Sequence, residues 1–203
     1  MSKKIWLIGV MFTFLLSITT FVFAEVKQGT SELGIHIGGV IGDDLMDTTV
    51  SGAAVELDNG FVWGIDYTYN FSVNWGLEGR YSWHISEAAG APTSPDLDVH
   101  IFDINAVYHF NPESQTVFYA TAGFGWASGD LDANITGIIN GIDQSVGDAT
   151  GLTFNIGGGL KYYATENIIL RGDIRYRYID ELVSEFEESL NTFEITAGVG
   201  YRF

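Results

Sequence analysis

Apolar and polar side chains alternate along most of this chain, with the two-residue period of a β-strand that keeps one face in an apolar environment. Over 61–71 the odd positions are Phe61, Trp63, Ile65, Tyr67, Tyr69 and Phe71, and the even positions are Val62, Gly64, Asp66, Thr68 and Asn70. Over 74–86 one face holds Trp75, Leu77, Tyr81, Trp83 and Ile85, and the other holds Glu78, Arg80, Ser82 and His84. Over 167–178 Ile168, Leu170, Gly172, Ile174, Tyr176 and Tyr178 alternate with Ile169, Arg171, Asp173, Arg175 and Arg177. The closing run sets Phe193, Ile195, Ala197, Val199, Tyr201 and Phe203 against Thr192, Glu194, Thr196, Gly198, Gly200 and Arg202. Weaker runs at 31–41, 99–110, 117–127 and 151–163 bring the expected count to eight strands, each long enough to cross a bilayer at a tilt.

The connections alternate in length. Those near 72–73, 111–115 and 164–167 are short; those over 42–59, 86–98, 128–150 and 180–191 are long. An up-and-down meander puts short turns on one side and long loops on the other, and an even strand number leaves both termini on the short-turn side. The expected fold class is all-β, an eight-stranded antiparallel up-and-down transmembrane β-barrel.

The alternation is absent from 1–24. Lys3 and Lys4 form a basic start, 5–23 carries no charge, and Val22 and Ala24 stand at the −3 and −1 positions of a cut after Ala24. That is the pattern of a secretory signal peptide. An uncleaved anchor is the rival, since about 20 apolar residues span a bilayer. Glu25 and Lys27 directly after the cut favour the signal. The expected organisation is a signal peptide over 1–24 and a barrel domain over 25–203.

Composition narrows the function classes. With no cysteine, disulfide scaffolds, thiolate metal sites and cysteine nucleophiles are excluded. The formal charge is −17, from 26 acidic and 9 basic residues, which excludes the basic footprint of a nucleic-acid partner. Acidity without apolar residues means disorder, but 46 % of this chain is hydrophobic and 14 % aromatic.

The charges are sorted by location. The basic residues after position 24 are Lys27, Arg80, Lys161, Arg171, Arg175, Arg177 and Arg202, and all but Lys27 lie on polar strand faces. The same faces carry Glu32, Asp66, Glu78, Asp103, Asp173 and Glu194. A closed interior must pair such charges, because an uncompensated buried charge is very costly. The four long loops hold 17 acidic residues and no Lys or Arg, so the excess charge sits on one rim.

Alternation alone does not say which face points inward. A soluble barrel would turn its apolar face in. Here the polar set is poor in Lys, Trp and Tyr gather toward strand ends as interfacial girdles do, and the charged set is nearly self-neutral. All three place the charges in the lumen and the apolar face against lipid.

The chain resembles the small outer-membrane β-barrel domain of Gram-negative bacteria, the class that includes OmpA-type and OmpX-type barrels. The resemblance is carried by the signal peptide, WGLEGRYSW (75–83), DINAVYHFNP (103–112), YATAGFGWA (119–127), the run 154–180 and the closing GVGYRF (198–203). It implies a location in the outer membrane, with lipid and lipopolysaccharide as surroundings. It also implies that the C-terminal aromatic, Phe203, is a signal to the barrel assembly machinery. Members of the class include inert anchors, adhesins, narrow channels and a few lipid-modifying enzymes.

No catalytic, cofactor or metal site is expected. Gly157, Gly158 and Gly159 lack the Lys-Ser/Thr and the helix of a phosphate loop, and read as close packing in a strand. Asp130, Asp132 and Asn134 have the 1-3-5 spacing of a calcium loop, but Ile135 and Gly141 stand where that loop needs Gly and Glu. Weak divalent-cation binding at the acidic loops is the remaining expectation. His84 and Ser86 have the spacing of the catalytic pair of outer-membrane lipid A deacylases, but Trp83 and Ile85 take the lipid face and send the pair inward. His36, His100 and His109 show no metal-ligand spacing.

The expected function is that of a non-enzymatic barrel with a charge-paired, closed lumen and acidic surface loops, structural in the envelope or active in surface interaction. The alternative is a narrow passage for ions or small hydrophobic solutes, as in OmpW-type barrels; a lipid A-modifying enzyme is a minor one. Within the lumen, Glu78 and Asp103 are expected to reach across to the Arg-rich strand, and Glu32 to pair with Arg202 where the first and last strands meet.

Overall fold

The computed structural model describes residues 25–42, 56–57, 60–89, 96–131, 149–180 and 190–203. The alternating runs form β1 (Thr30–Gly42), β3 (Gly60–Asn70), β4 (Trp75–Ala89), β5 (Asp96–His109), β6 (Thr116–Leu131), β7 (Ala149–Tyr163), β8 (Ile168–Asp180) and β9 (Leu190–Arg202). A two-residue piece, β2 (Glu56–Leu57), pairs with the far end of β4. Each long strand is antiparallel to both neighbours, and β1 pairs with β3 on one side and β9 on the other, so the sheet closes into an eight-stranded barrel with no free edge in its wall. Among the described residues no helix is long and apolar enough to cross a membrane; the crossings are strands.

The strands run further toward the long loops than alternation suggested. β4 extends to Ala89 and β6 to Leu131, so Glu87 faces Asp96 and Asp98 faces Asp130 in register. Backbone pairing continues there because a hairpin ladder does not need apolar side chains once it leaves the bilayer. The segment 1–24, expected to be a signal peptide, Asp132 and Asn134 of the calcium-like spacing, and the central parts of the four long loops lie outside the described residues.

Side-chain chemistry closes the short turns. Ser72 Oγ accepts the Trp75 N–H at 2.9 Å, Thr165 Oγ1 accepts the Ile168 N–H at 2.9 Å, and Asn111 Oδ1 accepts the Phe118 N–H at 2.7 Å. All three are residues whose short polar side chains compete well for turn N–H groups.

The exposure pattern settles the polarity. On β3 every odd residue is exposed and every even one from Val62 to Asn70 is buried. Ile35, Ile156 and Ile174 stand outward at 58 %, 62 % and 59 % exposure, whereas Glu78, Arg80 and Arg175 point inward at 0 %. A water-soluble barrel would do the reverse. Aromatic rings flank the outward belt: Trp75 and Tyr108 pack at 4.9 Å near the short turns, and Trp63 and Trp83 at 5.5 Å nearer the long loops.

Candidate functional site

The lumen is layered. At the short-turn end Val26, Val117, Tyr163 and Ile169 form an apolar cluster; toward the long loops Val99, Ile101, Ala127 and Ile179 form a second. Between them lie charged side chains. Glu32, Asp66, Glu78, Arg80, Asp103, Lys161, Arg171, Asp173, Arg175, Arg177, Glu194 and Arg202 are all buried. The apolar layers escaped sequence reading because Ile169, Ile179, Val99 and Ile101 sit on polar faces, where isolated apolar residues carry no pattern.

Two centres organise the charges. At mid-barrel Arg171 bridges three carboxylates: Nη1 lies 2.9 Å from Asp66 Oδ1 and 2.6 Å from Glu78 Oε2, and Nε lies 2.8 Å from Asp173 Oδ2. Arg175 Nη2 donates to Glu78 Oε1 at 2.8 Å and lies 3.3 Å from Asp173 Oδ1. Tyr119 accepts from Arg171 Nε at 2.7 Å and donates to Asp173, and the Arg171 guanidinium sits 5.0 Å over the Tyr119 ring. Asn105 Nδ2 and Thr68 Oγ1 add donors to the two Glu78 oxygens. Nearer the long loops, Arg177 grips Asp103 with two parallel bonds of 2.7 and 2.8 Å, and its Nε donates to Glu194 at 2.8 Å. Such forked pairs are geometrically specific as well as strong. Arg80 joins the two centres at longer range, 3.9 Å from Asp173 and 3.7 Å from Glu194.

For Asp66, Asp103 and Glu32 partner choice crosses the barrel instead of following the ladder. Asp66, Arg80 and Asp103 are direct register neighbours on β3, β4 and β5. Yet Asp66 goes to Arg171 and Asp103 to Arg177, both on β8. The expected Glu32–Arg202 pair does not form, although the two are Cα partners. Glu32 instead takes Lys161 Nζ at 2.5 Å, Tyr163 Oη at 2.8 Å and Asn70 Nδ2 at 3.0 Å. Arg202 turns to the Glu25 carbonyl and lies 5.0 Å over the Tyr163 ring. The physical reason is that Lys161 and Tyr163 reach Glu32 from β7 across the lumen, whereas Arg202 faces the short-turn mouth.

Room for these long side chains comes from glycine. A Cβ on Gly157 would stand 2.8 Å from Arg175 Cγ, and one on Gly125 would stand 2.5 Å from Asp103 Oδ1. Gly157 therefore serves close packing inside a strand, with no phosphate-loop geometry around it.

The histidines are dispersed. His84 lies in the lumen with Nε2 3.3 Å from Glu194, His36 contacts Ser82 at 3.3 Å, and His109 contacts Lys161 at 3.5 Å. His100 stands on the outer wall and bonds Tyr81 Oη at 2.8 Å. Among the described residues no group of three or more His, Asp or Glu side chains is arranged to hold a metal. Phe203 is outward and 63 % exposed, its backbone paired with Ser31.

No curated protein matches the chain in sequence. Solved structures do match its fold. OprG from Pseudomonas aeruginosa is 18 % identical with a TM-score of 0.62, covering 90 % of this chain and 99 % of that one. Neisserial surface protein A is 17 % identical with a TM-score of 0.62, covering 87 % and 100 %. Ail of Yersinia pestis, in complex with the heparin analogue sucrose octasulfate, is 18 % identical with a TM-score of 0.54, covering 87 % and 100 %. The family described as outer membrane protein beta-barrel domain matches residues 13–203, nearly the whole length. With its closed eight-stranded wall, lipid-facing apolar belt and charged interior, the chain belongs to that family of outer-membrane barrels.

Proposed function

We propose that this protein is a non-enzymatic outer-membrane barrel whose lumen is closed by its own charged side chains, and that it acts as a structural or surface-interacting part of the envelope. The observation that carries this reading is the convergence of Arg171 and Arg175 on Glu78 and Asp173 at mid-barrel, with Glu78 and Arg175 fully buried. An eight-stranded barrel is about wide enough for side chains alone, and paired guanidinium–carboxylate forks across it leave ions no route. Single-channel recording of the refolded protein in a planar bilayer is expected to give no sustained conductance. A large, stable open level would overturn the closed-lumen reading and favour a narrow channel. The second reading, passage of small hydrophobic solutes, draws its support from the apolar layer of Val99, Ile101, Ala127 and Ile179. That layer packs on itself above the charged network, which favours closure.

Catalysis finds no support in the placement of His84. It lies on Glu194 inside the lumen, away from the lipid on which a lipid-modifying enzyme would act. We assign the segment 1–24 to a signal peptide removed on export, and Phe203 to recognition by the assembly machinery, its exposed ring at the end of β9 being free to be read.

The loops set the partner chemistry. Ail is seen with a polyanion. The long loops here carry 17 acidic residues and no Lys or Arg, so they suit cations instead. Mg²⁺ or Ca²⁺ would bridge these carboxylates to one another and to the phosphates of lipopolysaccharide through oxygen ligands. Cleavage of the loops by a glutamate-specific protease at low ionic strength is therefore expected to slow when millimolar Ca²⁺ is added. An unchanged cleavage rate would remove the bridging role.

A further inference from the structure

The segment before β1 does more than lead into it. Residues 27–30 make a tight turn: Lys27 O accepts from Thr30 N at 3.3 Å and from Thr30 Oγ1 at 2.6 Å, and Gly29 holds φ at +80°. That is the left-handed conformation that glycine adopts without steric cost. The turn is anchored to the wall by the Gly29 N–H, which donates to Asn70 O at 2.7 Å. It sends Glu25 and Val26 back under the barrel. Val26 N donates to Pro112 O at 2.8 Å, in the β5–β6 turn on the opposite side of the mouth from β1. The Val26 side chain is 2 % exposed among Val117 of β6, Tyr163 of β7 and Ile169 of β8. Arg202 Nη1 donates to Glu25 O at 2.5 Å, on the same peptide group as the Val26 N–H. Five residues thus span the short-turn mouth from one wall to the other, held at the Gly29 end by one hydrogen bond and at the far end by two, together with the apolar Val26 side chain.

We propose that residues 25–29 are a strap that seals the periplasmic mouth, with Val26 as its stopper and Gly29 as its hinge, in series with the charge network above it. Three features favour a strap over a wall element. It makes no ladder pairing with a neighbouring strand, its holding contacts are three hydrogen bonds and one side chain, and a single backbone conformation directs it inward. Segments held by so few contacts open at low free-energy cost, well before the barrel unfolds. Two closures in series have a definite consequence: disrupting one leaves at most a small leak past the other, and only their joint loss opens the lumen widely.

The chain has no cysteine, so one introduced thiol is an unambiguous probe. In protein folded in lipid vesicles with the short-turn side accessible, Val26→Cys is expected to react with a water-soluble maleimide at least about ten-fold more slowly than Gln28→Cys, whose position is exposed. Adding Gly29→Val, which puts a β-branched residue at positive φ, is expected to remove most of that difference. This measurement does not depend on whether the charge network closes the lumen. A second one does: the leak current of Glu78→Ala should rise several-fold when Val26→Ala is added, while Val26→Ala alone stays closed. Equal labelling rates at the two positions would overturn the strap. Protection that survives Gly29→Val would overturn the hinge, and a double variant no leakier than Glu78→Ala would overturn closure in series.

Discussion

Replacing Glu78 with alanine is expected to cost about 3–5 kcal/mol of barrel stability, the usual penalty for leaving a buried charge without its partner. Glu78 is fully buried and shared by two arginines. Its two oxygens lie 2.6 Å from Arg171 Nη1 and 2.8 Å from Arg175 Nη2, and they also accept from Asn105 and Thr68. Removing it leaves Arg175, which is 0 % exposed, with Asp173 alone at 3.3 Å. Glu78→Gln should fall between wild type and Glu78→Ala, because the amide oxygen still accepts from Arg175 or Asn105 while the charge is gone. Urea unfolding in lipid vesicles reads the stability, and planar-bilayer recording reads the small leak expected from the loosened network. Wild-type stability in Glu78→Ala, together with a large wild-type conductance, would reject the charged closure.

The second large effect is on the outer wall. Ile156 and Ile174 stand outward near mid-strand, at 62 % and 59 % exposure. An arginine there would have to sit at the bilayer midplane, where it costs about 2–4 kcal/mol in barrels of this kind. Thr150 lies on the same outward face of β7, six residues nearer the long loops, and is also exposed. Thr150→Arg should cost no more than about 1 kcal/mol, since the penalty fades toward the interface. Folding free energies of Ile156→Arg, Ile174→Arg and Thr150→Arg in vesicles check the depth dependence. Equal costs at positions 156 and 150 would mean that the belt is not centred as the strands place it.

Much of this architecture is local, and local information is legible in one dimension. Strand existence follows from period-two alternation, and face assignment follows from parity alone. Parity puts Arg171, Asp173, Arg175 and Arg177 on one face before any partner is known. The choice of inside over outside follows from composition: a wall rich in Phe, Trp and Tyr beside a polar face with few Lys belongs in lipid. The strand ends were less legible, because ladders such as Asp98 with Asp130 persist on backbone hydrogen bonds after the apolar signal has stopped.

Partner identity was decided by the tertiary structure. Register makes Arg80 the neighbour of Asp66 and Asp103, and Arg202 the neighbour of Glu32, yet none of these neighbours pair. In so narrow a barrel the far wall is within reach of a long side chain. An Arg on β8 therefore competes for Asp66 on equal terms with one on β4, and the outcome depends on which glycines leave space and which hydroxyls and amides satisfy the remaining lone pairs. The apolar layers and the placement of Val26 belong to the same class of fact. Val26, Ile169 and Ile179 are single apolar residues in unpatterned or polar contexts, and they acquire a common meaning only when closure of the barrel brings distant segments together at each end of one lumen. The sequence by itself determined strands, faces and polarity, because each is a property of neighbouring residues; only the closed structure decided who meets whom, because those contacts join residues up to 177 positions apart.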